Sequence, residues 1–226
     1  MKLEGYKKYF LKGDWHTHST FSDGDNTPEE MVKTAIDLDL KLIAITEHVN
    51  RKTDWLDDFC EEIRRLKKKY EGKIKVLSGI EAKVIDLRGN IDARAKFFDN
   101  VDIVLTAFHR IPTSHGFIPR EQISKKKLEV LEHWHKAMLN VLKNTNVDII
   151  AHPTNLLKIH DIAILYLVKK EIAESANKNK KIFEINIKHD VPDKEFIGLL
   201  EENNVPMIRG SDAHHIQELK EYHEKY

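Results

Sequence analysis

Val101-Asp102-Ile103-Val104-Leu105-Thr106-Ala107-Phe108-His109 is an apolar, β-branched run that ends on a histidine. A run of this length reads as a strand buried on both faces. The pattern recurs at Asp14-Trp15-His16-Thr17-His18 and at Val147-Asp148-Ile149-Ile150-Ala151-His152. It also recurs at residues 41–47, 74–81, 181–187 and 206–213, usually with a chemically capable polar residue at the end. Helical patterns fill the gaps. Thr27-Pro28-Glu29-Glu30 combines an N-cap, a proline at the first helical position and a capping-box glutamate, opening a helix to about residue 38. Thr53 is read as the cap of a second helix that runs through Ile63 and Leu66 and ends near Gly72. Further helices are expected over 92–98, over 121–143 with Leu128, Leu131, Trp134, Met138 and Leu142 at helical spacing, over 162–176 and over 193–203.

Seven strands alternating with helices define an α/β chain with a parallel sheet. Its 226 residues allow about 32 per unit, close to one βαβ unit each. An open sheet spreads its strand ends along an edge, whereas a barrel gathers them at one mouth. Potential ligands at so many strand ends favour a distorted (β/α)7, TIM-like barrel with residues 1–226 as a single domain.

Composition narrows the function. Lys+Arg and Asp+Glu are both 37, so the chain is formally neutral and lacks the basic excess of a general nucleic-acid binder. One cysteine, Cys60, excludes an internal disulfide framework and a cysteine-based zinc site. Thirteen histidines are the unusual count. No apolar run approaches the roughly 18 residues of a membrane span, and the first residues carry no apolar signal segment, so a cytoplasmic location is the default expectation.

His16 and His18 stand two apart in a strand and therefore face one side, able to clamp one metal. Ser22-Asp23-Gly24 reads as a turn, which is compatible with Asp23 being a ligand. Adjacent Glu47 and His48 point apart, and we assign His48 as ligand with Glu47 in support. Glu81 ends an apolar strand where an unpaired carboxylate is costly, a cost that a metal removes. His109 and His152 each end an apolar strand, as core histidines or as ligands. Asp212 and His214 repeat the two-residue spacing.

Taken together, His16-Thr17-His18-Ser19, Ser22-Asp23-Gly24, Ile45-Thr46-Glu47-His48, Gly79-Ile80-Glu81, His109, Ala151-His152-Pro153 and Gly210-Ser211-Asp212-Ala213-His214 resemble the polymerase and histidinol phosphatase (PHP) family in order and spacing. The resemblance implies a distorted seven-stranded barrel with up to three divalent metals (Zn, Mn or Fe) at its mouth. It places His16, His18, Glu81 and Asp212 on one metal. Glu81 bridges to a second held with His109 and His152, and Asp23, His48 and His214 hold a third. Such a centre is net positive, suits a phosphate dianion and can supply a metal-bound hydroxide as nucleophile. Glu81, Asp212 and His214 are the candidate catalytic groups. Asp212 or a nearby histidine is a candidate proton shuttle, a role that metal ligation limits.

Arg110, His115 and Arg120, in the loop after the fourth strand, are candidate phosphate contacts, with a solvated loop as the alternative. Lys188, His189 and His160 are further mouth candidates, and Asn186 a supporting one. His215 and His223 are read as surface residues. The expected activity is phosphoesterase action on a small phosphomonoester or nucleotide-type phosphate, with histidinol phosphate a named candidate. A 3′-end nuclease, a C–N hydrolase and a non-catalytic metal-binding barrel are the rivals.

Overall fold

In the computed structural model, which describes residues 6–224, the seven runs become seven parallel strands. The chain runs β1 (Gly13–Thr17), α1 (Pro28–Asp37), β2 (Leu42–Val49), α2 (Leu56–Lys69), β3 (Lys75–Lys83) and β4 (Ile103–Ala107). A two-residue-per-arm hairpin, β5 (Pro112–Thr113) and β6 (Gly116–Phe117), precedes α3 (Lys127–Val141) and β7 (Ile149–Ile150). Then follow α4 (Asn155–Ile159), α5 (Tyr166–Lys178), β8 (Ile182–Asn186), α6 (Lys194–Glu202), β9 (Met207–Gly210) and α7 (Ile216–Glu224).

The sheet order is β1-β2-β3-β4-β7-β8-β9. Its two edges meet just beyond β9, where His18 N–H donates to Ala213 O (2.9 Å) and Asp212 N–H donates to His16 O (2.8 Å). These bonds nearly close the sheet into a distorted barrel. Alternation along the strands then separates two cores. Leu42, Ala44, Leu77, Ile103, Leu105, Ala107, Ile149 and Ile208 fill the interior with Trp15. Ile43, Ile45, Val76, Ile80, Val104 and Phe183 pack outward against the helices. With the lower interior plugged by apolar side chains, the polar residues of the inward face are left to the C-terminal mouth.

The capping box at α1 forms as expected: Thr27 and Glu30 exchange backbone hydrogen bonds through their side chains. Elsewhere the helices depart from the sequence reading. Thr53 does not cap α2; its hydroxyl accepts from Asn50 N–H, and Trp55 begins the helix without a side-chain cap. The helix expected over 92–98 is one 3₁₀ turn, Ala95–Phe97. The long helix expected over 121–143 is a 3₁₀ segment, Arg120–Lys125, and then α3, divided at Lys126 where φ is −117°. That division turns Leu128 outward, 85% exposed, while Trp134 and Met138 stay in the core. The helix expected from 162 begins at Tyr166, after the separate α4. Among the described residues no helix is long and apolar enough to cross a membrane.

Candidate metal centre

The register sets the site. Pairing of β2 with β3 places His48 beside Glu81. Glu81 lies on the inward face of β3 with Leu77, so its carboxylate rises through the plugged interior to the mouth. The structure gathers all nine proposed ligands there, in four overlapping groups: His18, Asp23, His48 and His214; His16, Glu81 and His152; His16, His18 and Asp212; and His48, Glu81 and His109.

Glu81 is the hub. One oxygen lies 3.0 Å from His152 Nε2 and 3.4 Å from His109 Nε2. The other lies 2.8 Å from His48 Nδ1, 3.5 Å from His16 Nε2 and 3.7 Å from His18 Nε2. Asp212 Oδ1 lies 3.2 Å from His18 Nε2 and 3.7 Å from His16 Nε2. Asp23 lies 3.7 Å from His48 Nε2 and 3.5 Å from His214 Nε2.

Two strand-end ligands, His152 (φ 26°) and Asp212 (φ 55°), adopt left-handed backbone conformations, which are unfavourable for side chains other than glycine and persist only when the surroundings impose them. Glu184 is part of what imposes the first of them. This carboxylate, fully buried on β8, faces His16 Nδ1 at 2.9 Å and accepts the backbone N–H of His152. It thereby favours the proton on His16 Nδ1 and leaves Nε2 for the centre. Gly210 makes room for it, since a Cβ there would stand 1.9 Å from Glu184 Oε1. On the opposite side, Glu47 accepts Ser19 N–H (3.0 Å) and the hydroxyls of Ser19 and Ser22, bracing the loop that carries Asp23. Burial pushes Glu47 up to about 7 against those hydrogen bonds.

The electrostatics fit a cation. Burial, with help from His48 and His16, drives His18 down to about 3, so its ring is neutral and keeps a lone pair. His16 Nε2 and His18 Nε2 face each other at 3.1 Å. The His18 ring stacks between His48 and His214, with centroids 4.2 and 4.3 Å away. His18 Nδ1 is buried without a hydrogen-bond partner among the described residues. Burial also opposes charge on Glu81, but His109, His48 and His16 outweigh it and hold the carboxyl well below its ordinary range. Conversely, burial lowers His48 but the Glu81 and Asp23 carboxylates win, pushing it up to about 9. Protons on these rings occupy the place of positive charge that a divalent ion bound by nitrogen and oxygen would supply.

The remaining candidates divide. Arg120 and His160 line a cleft of about 570 Å³ that opens beside His48, Glu81, His109 and His152. His189 reaches the centre, with Nε2 3.1 Å from Asp212 Oδ2, and Lys188 Nζ lies beside it, donating to Asp212 O at 3.3 Å and standing 3.2 Å from Glu218. Arg110 lies over the Phe117 ring at 4.7 Å, and His115 sits exposed at the tip of the β5–β6 hairpin; neither lines the cleft. His223, expected at the surface, is instead buried against Asp14, Nε2 to Oδ2 2.7 Å. Asp14 also accepts the N–H groups of His16 and Ser211, so it ties β1, the segment after β9 and α7 together. Nothing in the local sequence marks Glu184 as a supporting carboxylate. The pairing of Asp14 with His223 spans 209 positions and left no local trace.

Comparison with known proteins agrees with this geometry. The PHP domain profile matches residues 14–188. A probable phosphatase of Acetivibrio thermocellus is 32% identical over 205 residues, covering 89% of this chain and 78% of the relative. The DNA polymerase/3′-5′ exonuclease PolX of Bacillus subtilis is 30% identical over 218 residues, 92% of this chain but 35% of that protein. Among solved structures, the putative histidinol phosphatase of Listeria monocytogenes shares the fold with a TM-score of 0.77 at 17% identity, over 95% of this chain and 100% of that one. The histidinol phosphate phosphatase of Lactococcus lactis, complexed with zinc, L-histidinol and phosphate, has a TM-score of 0.67 at 23% identity, over 95% and 93%. With its profile matched over most of the chain and phosphatases among its relatives, the chain belongs to the PHP domain family of phosphoric ester hydrolases.

Proposed function

We propose that the chain is a metal-dependent phosphomonoesterase acting on a small phosphorylated substrate. The observation that carries this reading is the gathering of nine imidazole and carboxylate groups into four overlapping sets at the mouth, the ligand atoms of each set lying within 4.8 Å of one another. His16, His18, Glu81 and Asp212 would hold one divalent ion; Glu81 would share a second with His109 and His152; Asp23, His48 and His214 would hold a third. Zn, Mn or Fe suits such nitrogen and oxygen donors. When bound, the ions would acidify a water and offset phosphate charge.

The chain's own residues do the rest. The buried cluster excludes bulk water from the floor of the site and fixes the ligand rings. His189 Nε2 and Asp212 Oδ2, 3.1 Å apart, form a pair able to hold a proton beside the centre. The zinc, histidinol and phosphate of the Lactococcus lactis protein support a small phosphomonoester, and histidinol phosphate is one candidate. Likeness to the PolX protein favours a 3′-end nuclease as second reading.

A phosphate-release panel with Mn²⁺ or Zn²⁺, spanning histidinol phosphate, p-nitrophenyl phosphate, nucleotides and short oligonucleotides, tests the reading. Chelator-sensitive release from monoesters is expected. Release from oligonucleotide ends alone would favour the nuclease, and a folded, metal-loaded protein inert toward all would favour a metal-binding barrel.

A further inference from the structure

The cleft beside the metal centre has a composition of its own. It touches only His48, Glu81, His109 and His152 of the nine, so it lies to one side of the place where a phosphate would meet the metals. Its volume of about 570 Å³ far exceeds a phosphoryl group and falls in the range of small-molecule pockets. A cleft of this size beside four of the candidate ligands has room for the alcohol portion of a phosphate ester. Phe108, Ile123, Leu156 and Ile159 give it apolar walls.

Its polar groups are one-sided in charge. Arg120, Lys83 and His160 line it with the amides Asn50 and Asn155. Glu81 is the one acid in the lining, and its carboxylate is already enclosed by His48, His109 and His152. Lys83 is neutralised by Asp92 at 3.1 Å, and Ser124 Oγ meets His160 Nδ1 at 2.8 Å. Arg120 makes no ion pair among the described residues. A leaving group carrying an ammonium would find no free carboxylate here, whereas one carrying a second anion would find the Arg120 guanidinium, whose planar fork matches carboxylate and phosphate oxygens.

We propose that the substrate is a phosphomonoester whose leaving alcohol has an apolar body and a second anionic group, a carboxylate or a further phosphate, bound by Arg120. This rests on the phosphomonoesterase reading and narrows it. It also disfavours the amino-alcohol phosphates, histidinol phosphate among them, whose ammonium would find no free carboxylate in this space. Arg120 then acts as a specificity residue for the leaving group and makes no contact with the scissile phosphate.

Three aryl phosphates with nearly matched leaving-group acidity test the proposal: the phosphate esters of 4-hydroxyphenylacetate, tyrosol and tyramine, which end in carboxylate, hydroxyl and ammonium. The metal-loaded protein should give kcat/KM in that order, with carboxylate preferred to hydroxyl by about tenfold or more, the usual scale of a charge-assisted pair. In Arg120→Gln that preference should collapse, and Arg120→Lys should restore part of it. Equal kcat/KM for the three esters, a preference for ammonium, or an equal loss on all three in Arg120→Gln would overturn it. The last outcome would move Arg120 to the scissile phosphate. If no ester turns over, the phosphomonoesterase reading fails separately. Calorimetric binding of the three free phenols then decides the leaving-group site: 4-hydroxyphenylacetate should bind tightest and lose that advantage in Arg120→Gln, and equal binding of the three would contradict the proposal.

Discussion

The two halves of the mouth are built differently. His16, His18, Glu81, His152 and Asp212 are buried, and behind them stand the buried carboxylates Asp14 and Glu184. His48, His109 and His214 are half-buried, and Asp23 is exposed on a loop that Glu47 braces only through two serines. The buried half is fixed by the barrel itself, since its ligands lie on strands or immediately after them and their partners come from neighbouring strands. The exposed half has one candidate on a strand, His48 on β2, and depends for the rest on segments beyond the strands that pack less deeply. A preformed half and an adaptable half suit a centre that must hold metal firmly while admitting and releasing substrate.

The largest expected effect comes from the residue shared by both halves. Glu81→Gln keeps the shape but removes the charge on which five imidazoles converge, and turnover should fall by about 10³-fold or more. Steady-state phosphate release reads this, and near-normal turnover would mean that the hub is elsewhere. Next is Glu184→Gln, which alters the support of His16 and His152 alone. Metal affinity of the buried half should weaken by about 10- to 100-fold, measured by competition with a chromogenic chelator, while the exposed half is spared. A smaller change is expected from Asp23→Asn, about tenfold weaker binding of the most readily exchanged metal equivalent, with the tight equivalents retained. If Asp23→Asn also emptied the buried half, the division between the halves would dissolve.

The smallest effect is on stability. Burial opposes charge on Asp14, but the hydrogen bond and charge of His223 and the Ser211 contacts outweigh it, leaving its carboxyl below the ordinary value of 3.8. Asp14 thus binds its proton more weakly in the fold than in the unfolded chain. The stability it contributes is complete above the unfolded value and is lost as pH falls through the lower native value. His223→Ala removes that support while two backbone donors remain. The fold should lose about 1–3 kcal/mol near neutrality, and its acid-unfolding midpoint should move to higher pH in circular-dichroism titrations. An unchanged midpoint would make the pair incidental.

What could be read from sequence followed the range of the physics. Strands showed as apolar runs, and the capping box at Thr27 and Glu30 is a signal three residues long. The candidate ligands at strand ends stood out because a histidine or carboxylate after an apolar run is locally anomalous. The supporting groups did not stand out. Glu184 meets His16 across 168 positions, and nothing near it in Phe183-Glu184-Ile185-Asn186 separates a supporting carboxylate from a ligand. Lys126 interrupts the expected long helix without a proline or glycine to announce it, so the outward turn of Leu128 was invisible. Thr53 looked like a cap because its residue type is right, yet its hydroxyl serves Asn50 instead.

The central claim is that Glu81 unites these side chains into one centre for several metals. Equilibrium dialysis against Mn²⁺ or Zn²⁺, followed by elemental analysis of wild type and Glu81→Gln with folding checked by circular dichroism, tests it most directly. The account predicts more than one tightly held equivalent in the wild type and a loss of at least one in the variant. One equivalent or none in the folded wild type, or an unchanged count in Glu81→Gln, would contradict it.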